Sequence, residues 1–170
     1  MTNPLFYAKI LLFGEYGIIE DSQGLTLPYS FYKGTMKLSD LDSEFEKKSN
    51  VSLQKYSEYL KNLELPENFR LNISAFQKKK KKGLFFDSNI PQGYGVGSSG
   101  ALVAAIFERY SVNKLVPENI SKDDLKNLKK VFGEMESYFH GKSSGIDPLI
   151  CYMNLPILIE NRESVDKVSI

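Results

Sequence analysis

Residues 5–13 form an apolar run suited to a strand, broken by Lys9 and ended by Gly14. Residues 17–27 read as a short hairpin or loop, with Asp21, Ser22 and Gly24 as turn residues. Residues 31–38 alternate loosely between apolar and polar positions and predict a second strand. Val51, Leu53, Tyr56, Tyr59, Leu60 and Leu63 recur near helical spacing, and Pro66 closes that helix. Residues 71–76 and 84–90 read as two strands of a hairpin, with five lysines at 78–82 and Gly83 at its tip. Like charges at such a tip discourage edge pairing.

Residues 98–110 are apolar almost all round (Ala101, Leu102, Val103, Ala104, Ala105, Ile106, Phe107), which predicts a buried helix. Ser121, with Asp124 three positions on, opens a further helix in a capping-box arrangement, running to about Phe139. Leu125, Leu128, Val131, Phe132, Met135 and Phe139 form its apolar stripe. At about 100° per residue, Glu134 falls about 130° from the stripe's centre and Glu136 about 70°. Glu134 is therefore expected to face water, and Glu136 to sit at the border, where a carboxylate reaches a site beside the core. Residues 151–160 predict a last strand. Strands first, then helices, then a strand indicate an α+β fold and not a regular βαβ alternation.

Composition narrows the class. With 170 residues, 42% apolar and 25% charged, the chain suits one globular domain or slightly more. A net charge of +1 gives no bulk reason to expect nucleic acid or an anionic membrane, although a small anion needs only a local positive site. The lysine run has no interleaved aromatics and reads as a solvated surface. The single cysteine, Cys151, excludes an internal disulfide and is expected to be a small buried hydrophobe. No apolar stretch approaches the roughly 20 residues of a membrane span, and the start carries neither a basic leader nor a cleavage site. The cytoplasm is the expected location.

The most informative segment is Pro91-Gln92-Gly93-Tyr94-Gly95-Val96-Gly97-Ser98-Ser99-Gly100, which opens the buried helix. Glycines let the backbone approach a ligand, and a helix start offers free N–H groups and the positive end of a dipole. The combination suits phosphate. Ser98 and Ser99 can cap the helix, bind phosphate oxygens or ligate Mg²⁺. A Walker A loop is excluded because no lysine follows the glycines. A G-x-G-x-x-G string is formally present, but the acids about 20 positions on, Glu118, Asp123 and Asp124, flank or open a helix instead of ending a strand. A ligand-free glycine-rich turn is the plain alternative.

Two further segments stand in order around this loop. Lys9-Ile10-Leu11-Leu12-Phe13-Gly14-Glu15 places a lysine inside an apolar strand, costly if buried without an acidic partner. Glu136-Ser137-Tyr138-Phe139-His140-Gly141-Lys142-Ser143-Ser144-Gly145-Ile146-Asp147 carries two acids and the one histidine.

Taken together, the three segments resemble the ordered signatures of the GHMP small-molecule kinases, most of all the mevalonate kinase branch, from Lys9 to Asp147. The resemblance implies an α+β, ribosomal protein S5 domain 2-like N-terminal domain over residues 1–160. Residues 161–170 would begin the connection to a ferredoxin-like C-terminal domain absent from this chain, so that as a fragment it would bind nucleotide poorly and turn over slowly or not at all. It implies ATP and Mg²⁺, and phosphoryl transfer to a small alcohol, with mevalonate first and phosphomevalonate or another GHMP substrate as the alternative. The rival classes are a non-catalytic nucleotide-binding module and a dinucleotide oxidoreductase. By the same resemblance Pro91, Gly93, Gly95, Val96, Gly97, Ser98, Ser99 and Gly100 bind phosphate. Ser98 or Ser99 holds the metal with Glu136. Asp147 is the base, with Lys9 beside the forming alkoxide. Glu15 and His140 lie at the substrate site, His140 with a structural role in its turn. Ser143 stands where the pattern usually has proline. The implied partner is a small-molecule alcohol, not nucleic acid or membrane, and a homodimer is admissible.

Overall fold

The structure is a computed structural model that describes residues 3–14, 23–161 and 163–168. The candidate residue Glu15 and most of the expected 17–27 loop lie outside the described residues.

Among the described residues, five strands form one antiparallel sheet: β1 (Phe6–Phe13), β2 (Gly24–Leu38), β3 (Leu84–Ser88), β4 (Ile157–Ile159) and β5 (Val165–Lys167). The expected second strand is the C-terminal half of β2, a 15-residue strand that serves as the sheet's spine. One edge of β2 pairs with β1, with a register shift between Tyr7 and Ala8. Its start also pairs with β4, through Gly24 opposite Ile159, and its end with β3, through Leu38 opposite Leu84.

The helices are α1 (Glu44–Lys61), α2 (Ile73–Lys80), α3 (Ser98–Tyr110), α4 (Lys122–His140) and α5 (Ile146–Met153). α1 begins earlier than its apolar spacing predicts because Ser43 and Glu46 make a reciprocal capping box. It also shields the edge of β3: Ser49 Oγ accepts from Phe86 N at 2.9 Å, and Asn50 Nδ2 donates to the Leu84 carbonyl at 2.6 Å.

Two expectations are corrected. Residues 71–76 do not form a hairpin strand. Asn72 caps α2 by accepting from Ala75 N, Phe76 is fully buried, and Lys78, Lys79 and Lys80 fill the last turn. Cations there complement the helix dipole, and lysine is a good helix former. Residues 151–160 are not one strand. Cys151 belongs to α5, and Asn154, with φ of 50°, ends that helix before β4 begins. A short helix apolar nearly all round looks like a buried strand when periodicity is the only guide.

The core is built round α3, where Ala101, Val103, Ala104, Ala105, Ile106 and Phe107 are all buried. α3 and α5 lie on the sheet, and α4 packs on both. Phe107 meets Phe132 of α4 and Tyr152 of α5 edge-on, with ring centres 5.1 and 5.5 Å apart.

Candidate active site

The site forms where two helices begin side by side. α3 starts at Gly97, in the left-handed region with φ of 86°, and α5 starts at Gly145, with φ of 76°. Neither start has a side-chain cap. The first N–H groups and positive dipole end of α3 are therefore offered to a ligand, whereas at α5 the Ile146 N–H already donates to Ser144 Oγ and Pro148 has none, so that start contributes chiefly its dipole. The two starts touch through Gly100, where a Cβ would lie 2.7 Å from the carbonyl carbon of Asp147 and 2.8 Å from Pro148 N. Only a glycine lets the backbones come this close.

The glycine-rich loop thus divides by task. Gly97 and Gly100 serve packing, since a Cβ on Gly97 would lie 3.0 Å from Lys9 Cγ and 3.5 Å from Cys151 Sγ. Gly93 and Gly95 have open space where a Cβ would go. The Val96 carbonyl accepts from Lys9 N at 3.0 Å, which ties the loop to β1.

Lys9 does not point to water. Its side chain is 12% exposed, and Nζ lies 2.9 Å from Asp147 Oδ1, whose side chain is 33% exposed. The cost of a lysine in this strand is offset by an acid from the first turn of α5, where a carboxylate also suits the dipole.

Glu136 is 3% exposed, deeper than the border position its helix angle predicts, whereas Glu134 faces solvent as expected. The added burial comes from the 141–145 turn, which folds over α4. A Cβ on Gly133 would lie 2.9 Å from the Ser143 carbonyl oxygen. Glu136 Oε1 accepts from Ser99 Oγ at 2.7 Å, and Oε2 accepts from Ser143 Oγ at 2.5 Å. Burial pushes its carboxyl pKa up and nearby Asp147 adds to the rise, against the two serine hydroxyls and His140, which lower it. His140 Nε2 is 3.0 Å from Ser99 Oγ, so the histidine reaches across to the glycine-rich loop.

Of the candidate residues, Lys9, Ser99, Glu136, His140 and Asp147 come together from β1, α3, α4 and α5. Ser98 lines the adjoining groove of about 620 Å³ with Phe45, Leu53, Phe86, Phe139 and His140. Sequence reasoning missed the α1 and β3 residues of this groove. Their spacing marks them only as core or surface positions, and Phe45 lies in the turn of α1 that apolar periodicity did not predict. A separate cavity of about 580 Å³, between Leu60 and Ile73, shares no residue with this group.

No cluster of three or more carboxylate, histidine or cysteine ligands exists among the described residues. A hydroxyl and a buried carboxylate are nonetheless hard oxygen donors of the kind Mg²⁺ takes when phosphates and waters complete its shell. The donor set fits Mg²⁺ carried by a nucleotide.

A buried carboxyl whose pKa is raised by folding costs stability once it ionises. That cost is absent below its unfolded pKa and is felt as pH rises through the folded value. Glu136→Gln is therefore expected to stabilise the ligand-free protein at neutral pH by about 1 kcal/mol, a Tm gain of about 2–4 °C. The gain should shrink on acidification, and thermal melts across pH check it.

The comparisons agree with the fold. Residues 58–154, more than half of the chain, match the family described as GHMP kinases N terminal domain, and the chain belongs to that family. Within it the fold is that of the mevalonate kinases. The mevalonate kinase of Methanococcus jannaschii aligns at TM-score 0.58 and 15% identity over 99% of this chain and 56% of that one. A second mevalonate kinase structure gives 0.60 and 15% over 99% and 56%. The L. major enzyme, crystallised with R-mevalonate, gives 0.55 and 14% over 99% and 52%. The chain thus spans about half the length of these structures. No curated protein matches it in sequence. No helix among the described residues is long and apolar enough to cross a membrane.

Proposed function

We propose that this chain is the nucleotide-binding half of an ATP-dependent kinase acting on a small alcohol, with mevalonate the first acceptor to test and phosphomevalonate the next. One observation carries the reading. The Lys9–Asp147 pair and the Ser99–Glu136 pair, drawn from four elements, meet at two uncapped helix starts. In phosphoryl transfer the protein's work is positioning and charge compensation.

The N–H groups at the start of α3 and the open Gly93–Gly95 side of the loop hold the phosphates. The groove beside Ser98 takes the nucleoside, its apolar wall from Phe45, Phe86 and Phe139 against the base. Ser99 and Glu136 hold Mg²⁺, which when bound offsets phosphate charge and orients the reacting group. Asp147 takes the proton of the acceptor hydroxyl, and Lys9 Nζ compensates the charge that develops on its oxygen.

The test is calorimetric titration with Mg–ATP and with NAD, followed by coupled ADP release from the complete protein over a panel of alcohols. Mg–ATP binding with ADP release accelerated by one alcohol is the expected result. Mg–ATP binding without acceleration by any alcohol would favour a non-catalytic nucleotide-binding module. NAD binding in place of ATP would overturn the reading.

A further inference from the structure

We infer that Ser143 is a positioning residue for Glu136, and that its hydroxyl sets the orientation in which that carboxylate, with Ser99, receives a divalent cation. The inference rests on the kinase reading above and adds to it a residue outside the glycine-rich loop, in the α4–α5 turn.

The directions of the hydrogen bonds carry it. A serine hydroxyl has one proton. Ser143 Oγ accepts the Gly145 N–H at 3.0 Å, which turns its own proton toward Glu136 Oε2 at 2.5 Å. Ser99 likewise gives its proton to Oε1 at 2.7 Å. At the 3.0 Å contact between Ser99 and His140 the imidazole Nε2–H is then the donor. The network runs from the Gly145 amide through Ser143 to the carboxylate, and from His140 through Ser99 to the same group. It fixes both oxygens of Glu136 and leaves lone pairs on them for a cation.

The two serines are not equivalent. Ser99 belongs to the loop that meets the ligand, and its proton must turn aside if a cation takes its oxygen. Ser143 is anchored by a backbone amide, so its hold on Oε2 does not depend on the ligand. Without it, Glu136 would be held through one oxygen only, and the terminal torsion of a glutamate is soft. The partners of a metal-binding side chain typically change metal affinity about 10–100-fold when removed.

The probe is Mn²⁺, with free Mn²⁺ followed by electron paramagnetic resonance in the presence of a non-hydrolysable ATP analogue. Ser143→Val and Ser143→Thr have the same shape and differ in the hydroxyl. Ser143→Val is expected to weaken Mn²⁺ binding about tenfold or more, and Ser143→Thr to stay within about twofold of wild type. Binding of the analogue without metal should be equal in all three. Wild-type Mn²⁺ affinity in the valine variant would overturn the inference, as would an equal loss of metal-free analogue binding. Should the valine variant not fold, Ser143→Ala takes its place against the threonine variant. A wild-type chain that binds analogue but takes up no Mn²⁺ overturns the inference alone. One that binds neither removes the kinase reading with it.

Discussion

Asp147→Asn is expected to lower kcat by about 10²–10⁴-fold, the usual contribution of a positioned general base. The amide keeps the shape of the carboxylate and can still accept from Lys9 Nζ, so the 2.9 Å contact between β1 and α5 need not break. What disappears is the ability to take the acceptor's proton. Asp147 is one-third exposed but Lys9 only 12%, so removing the counter-charge while keeping a neutral acceptor is expected to cost roughly 1–3 kcal/mol of stability. Mg–ATP affinity should hardly move, because the phosphates are assigned to the α3 start and its loop. ADP release and nucleotide titration on the same preparation separate the two quantities. Near-wild-type turnover would remove Asp147 from the chemistry.

Gly145→Ala is expected to be among the most damaging small substitutions to stability. The residue has φ of 76°, and a Cβ there would lie 1.9 Å from the Lys129 carbonyl oxygen and 2.7 Å from Gly133 N, both backbone atoms of α4. Left-handed backbone costs an L-residue about 1–2 kcal/mol, and overpacking adds about 1–3 kcal/mol. A loss of about 3 kcal/mol or more lowers Tm by about 6–12 °C for a chain of this size. Moving this turn also shifts Ser143 and the first turn of α5, so Mg–ATP binding should fall together with stability. Gly93→Ala is the control. Its φ is similar, at 80°, but nothing lies within 4 Å, so it should cost only the backbone term. Thermal melts of both variants check this. A Gly145→Ala protein as stable as Gly93→Ala would show that α4 and the turn can separate freely.

What the sequence made legible was mostly local. The α3 start follows from three alternating glycines before an apolar run, and the α4 boundaries from Ser121 and a clear stripe. Lys9 stood out because an unpaired lysine is expensive inside a strand, and its partner proved to be the acid that the motif order singled out. The misreadings have physical causes. α2 has a single deeply buried side chain, Phe76, so its period was too weak to recognise, and the cap at Asn72 fixed the outcome. α5 buries every residue but Asp147 and is only eight residues long, too short and too apolar to be told from a strand by spacing. The burial of Glu136 depends on a turn folding back over Gly133, a tertiary event that no angle along α4 encodes. The aromatic wall of the groove comes from segments with no chemical signature of their own.

Lys9 and Asp147 are 138 positions apart in the chain, yet their side chains meet. Contacts of such long sequence separation close late in folding, and synthesis proceeds from the N-terminus. A nascent chain that has emerged only through α3 therefore displays a glycine-rich loop with neither acid beside it. The Lys9–Asp147 and Ser99–Glu136 contacts are expected to form in one step, when α4 and α5 dock, and not to build up gradually during translation.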